Sequence, residues 1–150
     1  MTSINFYHLT RSTIKETLPK LLSKIIDSDK RVLLVAANEN EANQLNDMLW
    51  SGTRVFVPHG TPNEPHPDKQ PILVSHQTEN LNKADILLMV GNTDTNKDIF
   101  SSFEKCLLVF DGNDPDQTSA VRRSWSTYKN SGFDLTYWQQ DTKGKWQQGG

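Results

Sequence analysis

Four short apolar runs constrain the fold of this chain more than any other feature of its sequence. They span residues 4–9, 32–37, 86–90 and 107–110, and they are rich in Leu, Ile and Val. The last three runs are continuous, which is typical of strands that are buried on both faces of a sheet. Such strands occur mainly in parallel sheets with helices on both faces, so we predict an α/β fold.

The helix predicted between the first two strands completes a βαβ unit, but its start is ambiguous. Leu and Ile recur at three- and four-residue spacing over residues 14–26, which places them on one helical face. Thr13 and Glu16 have the spacing of a capping box, whereas Pro19 follows inside the helical pattern. The helix therefore either begins near Leu18 or kinks at Pro19.

The remainder of the chain continues the alternation of strands and helices. Asn38 is suited to cap a helix that ends near residue 51, and Gly132 is suited to end the last helix. Further helices are predicted over residues 98–103 and 117–130, and further strands over residues 55–57, 72–75 and 133–140. A turn and a strand carrying Trp146 complete a hairpin, which we expect at an edge of the sheet.

Length and proline content indicate one domain with one long loop. The chain has 150 residues, which suits a single domain over residues 1–150. Five of its seven prolines lie within residues 58–71. Because proline interrupts regular elements, we predict an irregular surface loop there.

Charge, cysteine content and hydropathy exclude several classes of protein. The 16 basic and 18 acidic side chains give a net charge of −2, which argues against a protein that coats nucleic acid. Cys106 is the one cysteine of the sequence, which excludes an internal disulfide and a cysteine metal site. No run approaches the roughly 20 apolar residues of a membrane span, and the first residues lack the layout of a signal peptide. We therefore expect a soluble, cytoplasmic protein without membrane contact.

One segment imitates a phosphate-binding loop and supports an alternative hypothesis, a nucleotide-dependent enzyme. Residues 91–98, from Gly91 to Asp98, follow a predicted buried strand and include Lys97. The motif requires a second glycine where Asn96 stands and a magnesium-binding hydroxyl where Asp98 stands. Because Asp98 would repel phosphates, we predict no nucleotide cofactor.

The sequence shows no catalytic or metal-binding pattern. The four histidines lack the spacing of metal ligands, and no nucleophile elbow is present. We therefore expect a surface or helix-capping role for His8, His59, His66 and His76, and we predict no cofactor.

The last helix carries one of two candidate binding clusters. Arg122, Trp125 and Lys129 are spaced three and four residues apart, so they share one helical face. Two cations beside an aromatic ring would suit an acidic peptide with an apolar end. Burial of Trp125 in the core is the equally weighted alternative. Stacking of Trp125 or Trp146 on the bases of a single strand is a third possibility, which the net charge disfavours.

The other cluster stands before the proline-rich loop. Trp50 closes a predicted helix, and Phe56, Val57 and Pro58 end a predicted strand. Exposed aromatic side chains there would form a protein-binding patch, whereas buried ones would belong to the core. The sequence leaves both interpretations open.

Eight short motifs, in order along the chain, resemble one known family. They are Phe-Tyr-His-Leu at residues 6–9, Leu-Pro-Lys-Leu-Leu at 18–22, Arg-Val-Leu-Leu-Val at 31–35, Leu-Trp at 49–50, Phe-Val-Pro-His at 56–59, Phe-Asp-Gly-Asn-Asp at 110–114, Arg-Arg-Ser-Trp-Ser-Thr-Tyr-Lys at 122–129 and Tyr-Trp-Gln-Gln-Asp at 137–141. Together they resemble the chi subunit of bacterial DNA polymerase III, from residue 4 to about residue 146.

The resemblance implies a non-catalytic accessory subunit of the clamp-loader complex. The implied fold is a Rossmann-like three-layer sandwich that has lost its nucleotide-binding motifs. One surface of the family binds the acidic C-terminal tail of single-stranded DNA-binding protein, and another binds the psi subunit. A repair helicase is a further candidate partner, and contact with DNA is expected mainly through partners, at the replisome on the nucleoid.

The resemblance also assigns site residues. The tail-binding arginine of the family falls on Arg122 and the pocket aromatic on Trp125, with Arg123, Tyr128 and Lys129 nearby. Two family lysines are replaced, because Thr118 and Ser126 stand at their positions. The expected psi-binding surface comprises Trp50, Phe56, Val57 and Pro58.

Overall fold

The described part of the chain forms a seven-stranded sheet with helices on both faces. It comprises residues 2–51, 58–91 and 97–149 of a computed structural model. Its elements are β1 (Ser3–Leu9), α1 (Ile14–Asp27), β2 (Val32–Val35), α2 (Glu39–Ser51), a 3₁₀-helix (Pro67–Lys69), β3 (Ile72–Ser75), β4 (Ile86–Val90), a second 3₁₀-helix (Lys97–Ser102), β5 (Lys105–Asp111), α3 (Pro115–Asn130), β6 (Asp134–Gln140) and β7 (Trp146–Gly149).

The strand order confirms the predicted α/β class and the Rossmann-like sandwich. The strands lie in the order β3-β2-β4-β5-β1-β6-β7. Every neighbouring pair is parallel except β6 and β7, which are antiparallel. The predicted C-terminal hairpin is therefore added at one edge of a parallel sheet.

Two hydrophobic cores lie on opposite faces of the sheet because successive side chains of a strand alternate between its faces. On one face, α1 and α2 pack over residues that include Leu9, Leu34 and Leu88. On the other face, α3 and the second 3₁₀-helix pack over residues that include Phe6 and Leu108. Full burial of each such side chain contributes roughly 1.5–3 kcal/mol.

The start of α1 is settled by its cap. The Thr13 hydroxyl oxygen accepts a hydrogen bond from the Glu16 backbone N–H at 3.1 Å, and the Glu16 carboxylate accepts one from the Thr13 N–H at 3.3 Å. This capping box satisfies donors that have no partner inside the helix. The helix therefore begins at Ile14, and Pro19 is buried within it.

Several predicted boundaries differ from the structure. The helix predicted over residues 98–103 is a 3₁₀-helix, the form that short helical segments commonly take. The proline-rich loop contains one turn of 3₁₀-helix at Pro67–Lys69. The strand predicted over residues 55–57 lies outside the described residues. Among the residues that the structure describes, no helix is both long and apolar enough to cross a bilayer.

The side chain of Gln140 ties the end of β6 to the loop that follows β1. Its Oε1 accepts hydrogen bonds from three backbone N–H groups, those of Thr10 at 3.1 Å, Arg11 at 3.0 Å and Ser12 at 3.1 Å. Its Nε2 donates to the Ser12 hydroxyl at 3.1 Å. One buried amide therefore organises the β1–α1 connection.

Replacing Gln140 by alanine should destabilise the fold. The change leaves three partly buried backbone donors without their acceptor, and we expect the free energy of unfolding to fall by about 2 kcal/mol. Urea denaturation at neutral pH measures this difference. Gln148→Ala, at an exposed position of β7, is the matched control and should change the unfolding free energy by less than about 0.5 kcal/mol. Equal stability of the two variants would contradict the role of Gln140.

Candidate functional site

A cavity of about 420 Å³ opens between α3 and the edge of the sheet formed by β1, β6 and β7. We call it the α3 pocket. Its lining residues are Thr118, Val121, Arg122, Trp125 and Ser126 from α3, and His8, Phe110, Tyr137, Gln139 and Gly149 from the strands. A volume of this size accommodates a ligand the size of one aromatic side chain with its flanking groups.

The spacing of residues on α3 explains which side chains reach the pocket. The five lining residues of the helix recur at intervals of three, one, three and one, so they form one stripe along it. The helix begins at Pro115 after Asp114, whose carboxylate accepts a hydrogen bond from the Asp116 N–H at 3.0 Å. Val121 anchors the stripe to the core, with 4% of its surface exposed.

Aromatic rings form the apolar wall of the pocket. The Trp125 ring stands edge-on to Phe6, with ring centroids 5.0 Å apart, and edge-on to Tyr137 at 5.8 Å. The His8 ring lies 4.8 Å from the Phe110 ring, and its Nδ1 shares a hydrogen bond with the Tyr137 hydroxyl. The wall is therefore rigid on the side of the sheet.

Gly112 allows the His8 ring to take this position. A Cβ atom at residue 112 would lie 1.9 Å from His8 Nε2 and 2.6 Å from the Leu9 carbonyl oxygen. Neither distance is possible for a real Cβ atom, and the second contact is with backbone that cannot turn aside. A side chain at residue 112 would therefore displace His8 or the backbone beneath it.

Among the described residues that line the pocket, Arg122 is the one that carries a full positive charge at neutral pH. Burial lowers the pKa of His8, and nearby Arg122 lowers it further, while Asp111 acts in the opposite direction. Burial raises the pKa of Tyr137, which Arg122 partly offsets. Both rings are therefore neutral, and the pocket combines an apolar wall with a single guanidinium, a group suited to a carboxylate.

The structure brings the two principal predicted residues together. Arg122 and Trp125 both line the α3 pocket, and so do Thr118 and Ser126. Trp125 satisfies both interpretations of the sequence, because it packs against the core and also faces the cavity.

Three other predicted residues lie elsewhere. Arg123 and Lys129 are exposed and do not line the pocket. Tyr128 is 4% exposed and packs against Phe6 and Phe100. Tyr128 is seven residues from Val121, so both face the core, and the structure does not bring Tyr128 to the pocket.

The strand residues of the pocket were missed by sequence reasoning. His8 lies in β1, more than 100 residues before α3, whereas Tyr137 and Gln139 lie in β6, which begins four residues after α3 ends. No motif connects these strand residues with the helix. The expectation of a surface or helix-capping role is wrong for His59, which is 4% exposed, whereas the His8 ring is half-buried in the pocket wall. The Phe-Tyr-His run of β1 offers no signal that could have predicted this contact.

The second predicted cluster lies at the opposite edge of the sheet. Trp50, in the last turn of α2, has 53% of its surface exposed, and its ring lies 4.3 Å from the ring of buried His59. Pro58 is half-buried, whereas Phe56 and Val57 lie outside the described residues. Because α2 packs beside the edge strand β3, this surface is separated from the α3 pocket by the width of the sheet.

The segment that imitates a phosphate-binding loop is described only at its ends. Gly91 follows β4 with a φ of +67°, and Lys97 begins the second 3₁₀-helix. Residues 92–96 lie outside the part of the chain that the structure describes. No group of three potential metal ligands is found among residues 2–51, 58–91 and 97–149.

Comparison with known proteins gives one consistent result. The family model of the DNA polymerase III chi subunit, HolC, matches residues 1–136. A relative from Rickettsia prowazekii (strain Madrid E), described as a probable DNA polymerase III subunit chi, is 26% identical over 117 residues. The aligned region covers 74% of this chain and 71% of the relative.

The position of Arg122 beside His8 should be visible in a titration. His8 has a pKa below its ordinary value of 6.5, partly because Arg122 disfavours the imidazolium, so Arg122→Ala should raise the pKa of His8. NMR-monitored titration of the His8 ring measures it, with the exposed Arg123→Ala as control. An unchanged pKa of His8 in Arg122→Ala would contradict the proximity of the guanidinium to the imidazole.

The lowered pKa of His8 also gives stability a defined pH dependence. Between the lowered pKa and 6.5 the unfolded chain binds the proton more readily than the folded one. The stabilisation of the neutral ring is therefore complete above pH 6.5 and is lost as the pH falls through the lowered pKa. The pH dependence of the unfolding free energy should be weaker in His8→Leu.

Proposed function

The chain belongs to the DNA polymerase III chi subunit family, and from that premise we propose that the α3 pocket binds the acidic C-terminal tail of single-stranded DNA-binding protein. The protein would act as a non-catalytic accessory subunit of the clamp-loader complex. It would tether the replicase to coated single-stranded DNA in the bacterial cytoplasm. One observation carries the proposal, namely a single arginine at the rim of an aromatic cavity.

The chemistry of the pocket matches the end of such a tail. A terminal phenylalanine ring would lie in the apolar part of the cavity beside Trp125, where aromatic rings favour edge-to-face contacts. The terminal carboxylate would accept charge-assisted hydrogen bonds from Arg122, whose guanidinium can hold both oxygens. A pocket with both features selects a chain terminus over an internal phenylalanine.

The acidic residues of the tail would be attracted more weakly than its terminal carboxylate. Arg123 and Lys129 are exposed and stand beside the pocket stripe on α3, so their attraction to aspartates would be screened by salt. The pocket itself carries uncharged Thr118 and Ser126 where the family has lysines. Affinity should therefore depend mainly on the phenylalanine and its carboxylate, and only modestly on salt.

Arg122→Ala should weaken tail binding by roughly 10- to 100-fold, because it removes the partner of the terminal carboxylate. Calorimetric titration with an acidic peptide that ends in Asp-Ile-Pro-Phe measures the affinity. The matched control is Arg123→Ala, which removes the same charge from the adjacent exposed position and should cost less than about three-fold at moderate salt.

Two further comparisons make this test decisive. The same peptide without its final phenylalanine should bind much more weakly to the wild-type protein. Trp125→Ala should also lose affinity, with its fold checked by circular dichroism. Unchanged affinity in both Arg122→Ala and Trp125→Ala would remove the site from α3.

We propose that the surface around Trp50 binds the psi subunit, together with Phe56, Val57 and Pro58. Trp50 is 53% exposed in the last turn of α2, and tryptophan is enriched in binding hot spots. A repair helicase is a further candidate partner of the protein. Separation from the α3 pocket by the width of the sheet would allow both partners to bind at once.

Trp50→Ala should weaken binding of a cognate psi subunit by at least about ten-fold and leave affinity for the tail peptide unchanged. Arg122→Ala should show the reverse pattern. Pull-down of psi and calorimetry with the peptide, on the same two variants, measure both. Loss of peptide affinity in a folded Trp50→Ala protein would contradict two independent surfaces.

A further inference from the structure

A second cavity, of about 310 Å³, lies on the other face of the same sheet edge. We call it the α1 pocket. It is bounded by α1 and by the β6–β7 hairpin, and its lining residues include Tyr7, Ser12, Lys20, Lys24, Gly144 and Trp146. The two pockets are back to back, because Gln139 lines the α3 pocket and Gln140, the next residue of β6, lines this one.

Two lysines line the α1 pocket, and two more are chain neighbours of a residue that lines it. Lys20 and Lys24 are one turn apart on α1 and line the cavity directly. Gly144 also lines it, and its chain neighbours are the exposed residues Lys143 and Lys145. Two segments about 120 residues apart in the chain therefore combine their positive charges at one place.

Two acidic residues, Glu16 and Asp141, are chain neighbours of the lining residues Thr17 and Gln140 and offset part of this charge. None of the described residues that line the pocket is acidic. In the hairpin turn, the Asp141 carboxylate accepts hydrogen bonds from the backbone N–H groups of Lys143 at 2.8 Å and Lys145 at 2.9 Å. The ion pair found in the described part of the chain, Lys30 with Glu104, involves none of these lysines. Lys20 and Lys24 are exposed, so their ammonium groups can reach an external anion.

An aromatic pair stands in the wall of the same cavity. The Trp146 and Tyr7 rings are perpendicular, with centroids 5.3 Å apart, and both side chains are only partly buried. Trp146 lies on the edge strand β7, where its ring packs against the core on the α1 face and stays partly exposed. A flat ring held beside flexible cations is the combination with which proteins bind a nucleotide strand.

We infer that the α1 pocket binds single-stranded nucleic acid, with its phosphates on the four lysines and a base against Trp146. Lysine holds phosphates as a point charge, without the fixed fork with which Arg122 would hold a carboxylate in the other pocket. The Ser12 hydroxyl in the lining is suited to a phosphate oxygen. This inference goes beyond the proposed tail binding and uses none of its residues.

The net charge of −2 disfavours binding of nucleic acid over the whole surface, but it does not decide binding at a local patch. Attraction to a strand depends on the charges within about 10 Å, because salt screens more distant ones. A small patch of four lysines should give weak binding that increases strongly at low salt.

The test is fluorescence anisotropy of labelled oligothymidylate of about 20 nucleotides, which exceeds the site size of one small binding domain. The double variant Lys20→Ala/Lys24→Ala should bind at least five-fold more weakly. It should also reduce the slope of log affinity against log salt by about 1.4, which corresponds to two lost phosphate contacts. The matched control is Lys69→Ala/Lys105→Ala, which removes two exposed lysines elsewhere and should leave both quantities unchanged.

A second measurement tests the contact between a base and the Trp146 ring. The wild-type protein should prefer oligothymidylate to an abasic strand of the same length by roughly ten-fold, since stacking of one base is worth that much. In Trp146→Leu this preference should disappear while the salt slope stays unchanged. Because both strands are measured on the same variant, a general loss of stability cannot imitate the result.

Three outcomes would overturn the inference. They are no oligothymidylate binding at low salt, equal binding by the two double-lysine variants, and preferential binding of an acidic peptide at this pocket. Arg122→Ala separates the two proposals, because it should lose the tail peptide and keep the oligonucleotide. Failure of tail binding would leave the α1 pocket untested by that experiment and fully testable by this one.

Discussion

The pairing of β1 with β5 and β6 is the interaction on which both candidate sites depend. Its register sets Phe6 opposite Leu108 and Tyr137, and it sets His8 opposite Phe110 and Gln139. Side chains alternate along a strand, so Phe6 and His8 face α3 while Tyr7 faces α1. A shift by one residue would exchange the two faces and would dismantle the α3 pocket and the α1 pocket together. Two features hold the C-terminal end of β1 in this register. The Gln140 side chain accepts a hydrogen bond from the Thr10 N–H, and Gly112 leaves room for the His8 ring.

The two pockets use the same sheet edge for different chemistry. The α3 pocket has one guanidinium at the rim of a cavity formed by Trp125, Phe110 and the paired His8 and Tyr137 rings. Its neutral interior favours an apolar ring that ends in a carboxylate. The α1 pocket has flexible lysines around a partly buried aromatic pair, which favours phosphates and a base. The net charge of the whole chain indicates neither pocket, because each depends on charges within a few ångströms of its ligand.

Sequence patterns predicted those parts of the fold that depend on interactions between residues close together in the chain. Continuous apolar runs predicted β2, β4 and β5. The sequence left the start of α1 open, because Pro19 follows the capping box, and the structure begins the helix at Ile14. On α3, three- and four-residue spacing predicted that Arg122 and Trp125 would share a face, and both line the pocket. The same spacing predicted that Lys129 would belong to the site, but Lys129 is exposed and does not line the cavity. Periodicity shows which face of a helix a residue is on, but it does not show how far along the helix the pocket extends.

The sequence by itself therefore determined the elements, the parallel sheet and the helix face that meets it, since periodicity and caps act between residues a few positions apart. The family resemblance added which arginine and which aromatic ring matter on that face. Only the tertiary structure decided what stands opposite them. His8 and Tyr137 enter the α3 pocket, and Lys20 and Lys24 meet Gly144 and Trp146, through strand pairings that join segments more than 100 residues apart. Such contacts depend on register and packing across the whole sheet, and no local pattern in the chain encodes them.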